Sequence, residues 1–240
     1  MSAWAVIVAG GSGERFGREG GKQLAEAAGR PLLAVTLEAF ELAPSVTGVV
    51  LVCHPQRLDE YRAACGVGEG LSKVATVVPG GASRQASMAA GLAAVPVEAE
   101  VVLVHDGARP LVTPGLIEDA IAALRSAPGL AGVVVGPPVY DTLKTVGPRA
   151  EVLGTPDRSA MWVAQTPQVF RAEALRQALG SVAPGEPAAT DDASLVERAG
   201  GRVRMFEGPR TNIKVTVPED LAVVDALLRG RVVDRRGGRE

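Results

Sequence analysis

The stretch Val6–Lys22 reads V-I-V-A-G-G-S-G-E-R-F-G-R-E-G-G-K. Its first part belongs to a run of five uncharged residues, Ala5 to Ala9, long enough for a buried parallel strand and too short for a helix. The loop behind it carries Gly10, Gly11, Gly13, Gly17, Gly20 and Gly21, with Arg15, Arg18 and Lys22 between them. Glycines let a backbone approach a ligand closely, and successive peptide N–H groups form an anion-binding nest. A buried strand feeding such a loop points to a polyphosphate cradle at the carboxyl edge of a sheet. Two better-known loops do not fit. A Walker loop needs glycine where Phe16 stands and Ser or Thr where Gln23 follows Lys22. The dinucleotide fingerprint also meets Phe16 at its third glycine. The second strand ends in Val52-Cys53-His54, without the acid that would hold a ribose hydroxyl. A plain glycine-rich connector stays open on this stretch alone.

Working outward, strands and helices alternate. Arg30-Pro31 starts a helix through about Leu42, with Pro31 suited to the first helical position. Gly48–Cys53 is the second strand, Gln56–Cys65 a helix and Val74–Val78 the third strand. The next loop, Pro79-Gly80-Gly81-Ala82-Ser83-Arg84-Gln85-Ala86-Ser87, opens a helix to Ala94. Val101–Val104 is a fourth strand, ending in His105-Asp106-Gly107-Ala108-Arg109-Pro110. Thr113 caps a helix with Pro114 just inside, and Leu130–Val135 is a fifth strand. This order predicts an α/β, doubly wound, mostly parallel sheet covered on both faces.

The rhythm breaks at Gly136-Pro137-Pro138. Asp141–Val146 and Glu151–Thr155, joined by Gly147-Pro148-Arg149-Ala150, read as a polar hairpin arm projecting at about 137–158. The compact pattern resumes with a strand at Met161–Gln165 and a helix from Arg171. Asp191-Asp192-Ala193-Ser194 opens another helix, Val203–Phe206 is a late strand, and Pro218 begins the last helix. One domain is expected over 1–228. Arg229–Glu240, with five Arg and three Gly, is expected to be a disordered tail.

The 240 residues can bury a substantial core. A net charge of −2 and 3% aromatics argue against nucleic-acid binding, which wants a basic face and stacking rings. No apolar run approaches a membrane span, so no membrane partner is expected. No basic segment precedes Trp4–Ala9, so no secretory leader is expected. Cys53 and Cys65 are too few for a disulfide framework, and with His54 and His105 they complete no metal set. A reduced, cytoplasmic protein is the expectation.

In a doubly wound sheet, ligands bind beyond the carboxyl ends of the strands. Those ends deliver the Gly10–Lys22 loop, the Gly80–Ser87 loop and Asp106–Arg109 to one edge. Gly81 can admit a flat base, with Arg84 and Ser87 touching base, ribose or phosphate; an ordinary helix cap is the competing reading. Asp106 can accept from a sugar hydroxyl or help place Mg²⁺, which prefers hard oxygens. His105 is expected to be a satisfied strand-end histidine rather than a base. Arg109 can present its guanidinium to an anion.

The stretches A-G-G-S-G-E-R-F-G…G-K-Q, P-G-G-A-S-R-Q-A-S, V-H-D-G-A-R-P, D-T-L-K, D-R-S-A-M-W-V-A-Q-T-P-Q-V-F, T-D-D-A-S and N-I-K-V-T-V-P-E-D-L run in order from about Val6 to Leu228. Together they resemble the 2-C-methyl-D-erythritol 4-phosphate cytidylyltransferase family of the non-mevalonate isoprenoid pathway. The resemblance implies CTP lying over the first two loops, at Ala9, Gly10, Gly11, Ser12, Gly13, Gly80, Gly81, Ala82, Arg84, Ser87 and Asp106, with Mg²⁺ among its phosphates. The phosphate of 2-C-methyl-D-erythritol 4-phosphate would attack the α-phosphorus and pyrophosphate would leave. Arg15 and Lys22 would stabilise the transition state. Arg158 and Lys214 would hold the attacking phosphate, with Asp106, Arg109 and Thr142 near the methylerythritol. It further implies a homodimer whose arm reaches the partner, so that Thr142 and Arg158 act in trans. Gly21, Gly107 and Thr211 stand where the family usually has Pro, Ala and Asp. A ribitol 5-phosphate cytidylyltransferase and a non-catalytic nucleotide-binding module are the alternatives.

Overall fold

The computed structural model describes residues 2–11, 22–183 and 185–237. In chain order the elements are strand β1 (Ala3–Val8), the short ribbon β2 (Glu26–Ala27) and β3 (Arg30–Pro31), helix α1 (Leu32–Glu41), β4 (Val46–Cys53), α2 (Leu58–Cys65), β5 (Val74–Pro79), α3 (Arg84–Ala93), β6 (Val101–Asp106), α4 (Pro114–Arg125), β7 (Gly132–Gly136), β8 (Thr145–Val146), β9 (Val152–Gly154), β10 (Gln168–Arg171), α5 (Ala172–Gly180), α6 (Asp192–Arg198), β11 (Val203–Glu207) and α7 (Pro218–Gly237).

Seven strands form one sheet in the order β11-β7-β10-β6-β1-β4-β5. All neighbours are parallel except β10, which runs antiparallel to both β6 and β7. The two-residue period of the strands sorts side chains between two cores. Ala5 and Ile7 of β1, Val49 and Leu51 of β4, and Leu103 of β6 pack with Leu33, Phe40 and Ile117 of α1 and α4. Val6, Val50, Val52, Val102 and Val104 face the other way, onto Met88 and Leu92 of α3 and Leu175 of α5. Because both faces are covered, the strands read as continuous apolar runs. The chain leaves β1 for β4 and β5, then returns to β6 on the far side of β1. The strand order therefore reverses beside β1, which is where such sheets open a crevice.

Three expectations are corrected. Pro31 is the N-cap of α1, not its first helical residue. The strand expected at Met161–Gln165 lies instead at Gln168–Arg171 and is antiparallel. Met161–Gln165 is the return leg of the arm: Val139 N–H donates to the Met161 carbonyl at 2.9 Å, and Val163 N–H to the Pro137 carbonyl at 2.9 Å. Pro137 and Pro138 have no N–H to extend that ladder, so it stays an isolated bridge between Pro138 and Trp162. A Cβ on Gly136 would sit 1.9 Å from the Val163 carbonyl oxygen, so the two legs meet where only glycine fits. The tail, expected to be disordered from Arg229, continues α7 to Gly237. Leu228 is buried, Asp225 pairs with Arg229 one turn on, and Arg231 donates to the Leu111 carbonyl at 2.8 Å. The hairpin itself is present as β8 paired with β9, and its Val146, Val152 and Leu153 are exposed.

Candidate active site at the sheet edge

The carboxyl ends of β1, β4, β5 and β6 open on a cleft of about 680 Å³, lined in part by Gly10, Gly11, Lys22, Gly81, Asp106 and Lys214. Two glycine turns meet at its floor. Gly80 N–H donates to the Cys53 carbonyl at 2.7 Å, and a Cβ on Gly10 would lie 3.5 Å from the Gly80 Cα. A Cβ on Gly81 would come within 2.5 Å of the Ala86 Cβ, so any larger residue would push the turn off α3. Ser83 caps α3 by accepting from Ala86 N–H at 3.0 Å. Ser87, nearly buried, accepts from Gly81 N–H at 3.1 Å and so braces the turn. The positive end of α3 thus faces the cleft, a favourable place for phosphate.

Lys22 reaches the same wall from a short 3₁₀ turn, Lys22–Leu24. Its neighbour Gln23 donates to the Gly11 carbonyl at 3.3 Å and accepts from the Tyr61 hydroxyl at 3.5 Å. That link ties the two described ends of the first loop together. Ser12, Gly13 and Arg15 lie outside the described residues.

Asp106 is the hub. Its Oδ2 lies 3.0 Å from Lys214 Nζ and 3.4 Å from Arg109 Nε, and its Oδ1 lies 3.4 Å from Arg84 Nε. Burial alone would raise its pKa, but Lys214, Arg84 and Arg109 overcome that and hold the carboxyl well below the usual carboxylate range. Lys214 is placed by the Asn212–Val215 segment. Val215 N–H donates to the Ala108 carbonyl at 2.9 Å, and the buried Asn212 amide to the Thr166 carbonyl at 2.8 Å. Arg109 Nη1 donates back to the Asn212 carbonyl at 2.9 Å. A second hollow of about 150 Å³, lined by Gln165, Thr166 and Thr190, lies beyond Arg84, Asp106 and Lys214, which wall both spaces.

His105 is fully buried, as expected of a structural histidine. Thr166 hydroxyl donates to its Nδ1 at 3.0 Å, and its Nε2 donates to the Arg109 carbonyl at 3.3 Å. Burial pushes it down to about 3, so it stays neutral. Thr142 and Arg158 lie on the exposed arm and line neither space; Arg158 donates to the Tyr140 carbonyl. Sequence reasoning missed Asp192, which grips Arg84 from α6, and the polar clamps Gln23, Thr166 and Asn212. Asp192 falls in a first turn, where an acid is ordinary, and nothing along the chain ties it to an arginine 108 residues away. Among the described residues no group of three or more His, Cys, Asp or Glu side chains is placed to hold a metal. Asp106, already facing three cations, makes a poor centre for one.

A family model described as 2-C-methyl-D-erythritol 4-phosphate cytidylyltransferase (IspD) matches residues 3–230. A Rubrobacter xylanophilus 2-C-methyl-D-erythritol 4-phosphate cytidylyltransferase is 44% identical over 238 residues, covering 99% of this chain and 98% of that protein. A Desulforudis audaxviator bifunctional enzyme IspD/IspF is 47% identical over 226 residues; the match covers 94% of this chain and 56% of that protein's length. The crystal structure of 2-C-methyl-D-erythritol 4-phosphate cytidylyltransferase from Thermus thermophilus superposes with a TM-score of 0.74 at 33% identity, over 95% of this chain and 100% of that one.

Proposed function

The chain belongs to the 2-C-methyl-D-erythritol 4-phosphate cytidylyltransferase family, and from that premise we infer that it joins CTP to 2-C-methyl-D-erythritol 4-phosphate with release of pyrophosphate, a step of isoprenoid precursor synthesis. The wall of Arg84, Asp106 and Lys214 between the glycine-floored cleft and the smaller hollow carries this reading. CTP lies over Gly10, Gly11, Gly80, Gly81 and Ala82, with Ser12 and Gly13 continuing the loop, and the acceptor occupies the hollow. An oxygen of the acceptor phosphate attacks the α-phosphorus; the bond from that phosphorus to the oxygen bridging the β-phosphate breaks, and pyrophosphate carries the electron pair away.

Phosphoryl chemistry of this kind asks for positioning and charge rather than a covalent nucleophile. Burial pushes the thiols of Cys53 and Cys65 up, the latter to about 12, which leaves them inert. Lys22 and Arg15 stabilise the charge that develops at the α-phosphate. Lys214 steadies the attacking phosphate, while Asp106, kept ionised, accepts from an acceptor hydroxyl and Arg109 holds Asp106 in place. Magnesium comes with the triphosphate oxygens and supplies neutralising charge when bound. Thr142 and Arg158 serve the site of a second copy in a homodimer; the exposed apolar side chains of the arm, and the absence of Thr142 and Arg158 from the lining of either space, support this.

Pyrophosphate release across CTP, UTP and GTP against methylerythritol 4-phosphate and ribitol 5-phosphate tests the assignment. CTP with methylerythritol 4-phosphate should give the highest kcat/KM. A clear preference for ribitol 5-phosphate would move the substrate assignment to that sugar.

A further inference from the structure

Asp192, at the first helical position of α6, is almost wholly inaccessible, and no step of the transfer described so far uses it. Its two oxygens accept from both terminal nitrogens of Arg84, Nη1 at 2.9 Å and Nη2 at 2.8 Å. Two parallel bonds fix the plane of a guanidinium as well as its place. The grip is itself anchored. Asp191 caps α6 by accepting from Ser194 N–H at 3.0 Å and also accepts from Gln168 Nε2 at 2.8 Å. Gln168 Oε1 accepts from Ala193 N–H at 3.0 Å, so the first turn of α6 is tied to β10 on both sides of Asp192. A buried ion pair is weak support for stability, because desolvation offsets much of its attraction. What Asp192 contributes is better sought in where it holds Arg84.

Arg84 offers only its Nε towards Asp106, at 3.4 Å, while Lys214 comes to 3.0 Å of the same carboxylate. At this wall three cations, Arg84, Arg109 and Lys214, share two carboxylates. Without Asp192 they would share one, Asp106, which Arg84 already faces through its Nε. We propose that Asp192 is a positioning residue for the inferred cytidylyl transfer, on which this proposal rests: by occupying both ends of the Arg84 fork it keeps that group off Asp106 and leaves Asp106 Oδ2 to Lys214.

The test is a double-mutant cycle of Asp192→Asn and Arg84→Met, read as kcat/KM for the acceptor at saturating CTP. Displacing a positioned group by about an ångström costs up to roughly 100-fold in rate, so Asp192→Asn should lose about 10- to 100-fold. Arg84→Met should lose activity too, and adding Asp192→Asn to it should cost nothing more, because Asp192 acts through Arg84. Multiplying losses would mean that Asp192 merely supports α6, and normal kinetics in Asp192→Asn would equally overturn the proposal. Arg84→Lys keeps the charge but loses the fork, so a single ammonium is no longer locked to Asp192 and is free to turn to Asp106. It should share the Asp192→Asn defect, and normal kinetics in it overturns the proposal even where Asp192→Asn fails to fold. A wild-type chain that makes no pyrophosphate would instead sink the functional reading. The NMR resonance of the Arg84 Nε–H, identified by its loss in Arg84→Lys and recorded without substrate, then decides: it should shift in Asp192→Asn, and an unmoved resonance overturns the grip.

Discussion

Replacing His105 by Gln should make this protein less stable at neutral pH yet less sensitive to acid. His105 is buried and neutral, with its pKa pushed down from 6.5 to about 3 by burial. A base whose folded pKa is depressed binds its proton more readily when unfolded. Its contribution to stability is therefore intact above 6.5 and is lost as pH falls towards 3. The loss from this one group at pH 5 is about 2 kcal/mol, since it runs at about 1.4 kcal/mol for each pH unit below 6.5. Gln retains a donor for the Arg109 carbonyl but removes the acceptor that Nδ1 gives the Thr166 hydroxyl. An unsatisfied buried hydroxyl costs about 1–3 kcal/mol, so the variant should start lower by that amount at pH 7.5. Urea denaturation of both proteins at fixed subunit concentration, every half unit from pH 7.5 to 5, gives the difference directly, and groups common to both cancel. The gap should shrink by about 2 kcal/mol across that range. A constant gap would mean that His105 takes up its proton as readily in the folded protein as in the unfolded chain, in which case its Nδ1 would cease to accept from the Thr166 hydroxyl as pH falls through about 6.5 and the reasoning would fail. Because Thr166 also accepts from Asp106 N–H at 3.1 Å, the variant should further raise KM for the acceptor.

Lys22→Ala should reduce kcat by about 10²–10³, as removal of one preorganised donor does elsewhere, with little change in CTP affinity by calorimetry; near-normal kcat with a raised KM for CTP would make Lys22 a ground-state clamp. Gly81→Ala places a methyl group 2.5 Å from the Ala86 Cβ, and the resulting shift of the turn should weaken CTP binding by about 1–3 kcal/mol. Unchanged affinity would show that the close approach at Gly81 is not used by the nucleotide. On the proposed exchange of arms between two copies, Arg158→Ala and Lys22→Ala proteins should each be nearly inactive, but mixing and re-equilibrating them should restore about a quarter of wild-type activity, because half the dimers would then carry one intact site. No recovery, with subunit exchange confirmed by native mass spectrometry, would mean that Arg158 serves its own chain.

Where local chemistry is strong, the chain announces its structure. Apolar runs mark β1, β4, β5 and β6, and the residues that follow or end three of them, Gly10, Gly80 and Asp106, stand where the runs stop. Thr113-Pro114 and Asp191 mark helix starts by side-chain capping, and both caps form. The misplaced strand has a physical cause too. Met161–Gln165 and Gln168–Arg171 are both short and apolar enough for a strand, and only the second finds partners on both sides, between β6 and β7. The helical end of α7 depends in the same way on packing: Leu228 needs the pocket formed by Leu32 and Leu111.

The sequence alone therefore determined the α/β alternation, the glycine loops and the acid at the end of β6, because these rest on periodicity, backbone freedom and motifs read over a few residues. Tertiary structure decided the rest. It sealed His105 from water and closed three cations around Asp106 from α3, the turn after β6 and the segment before α7. It also set Asp192 against Arg84. Pairing of charges far apart in the chain is a matter of distance and burial in the folded molecule, which composition and spacing do not carry.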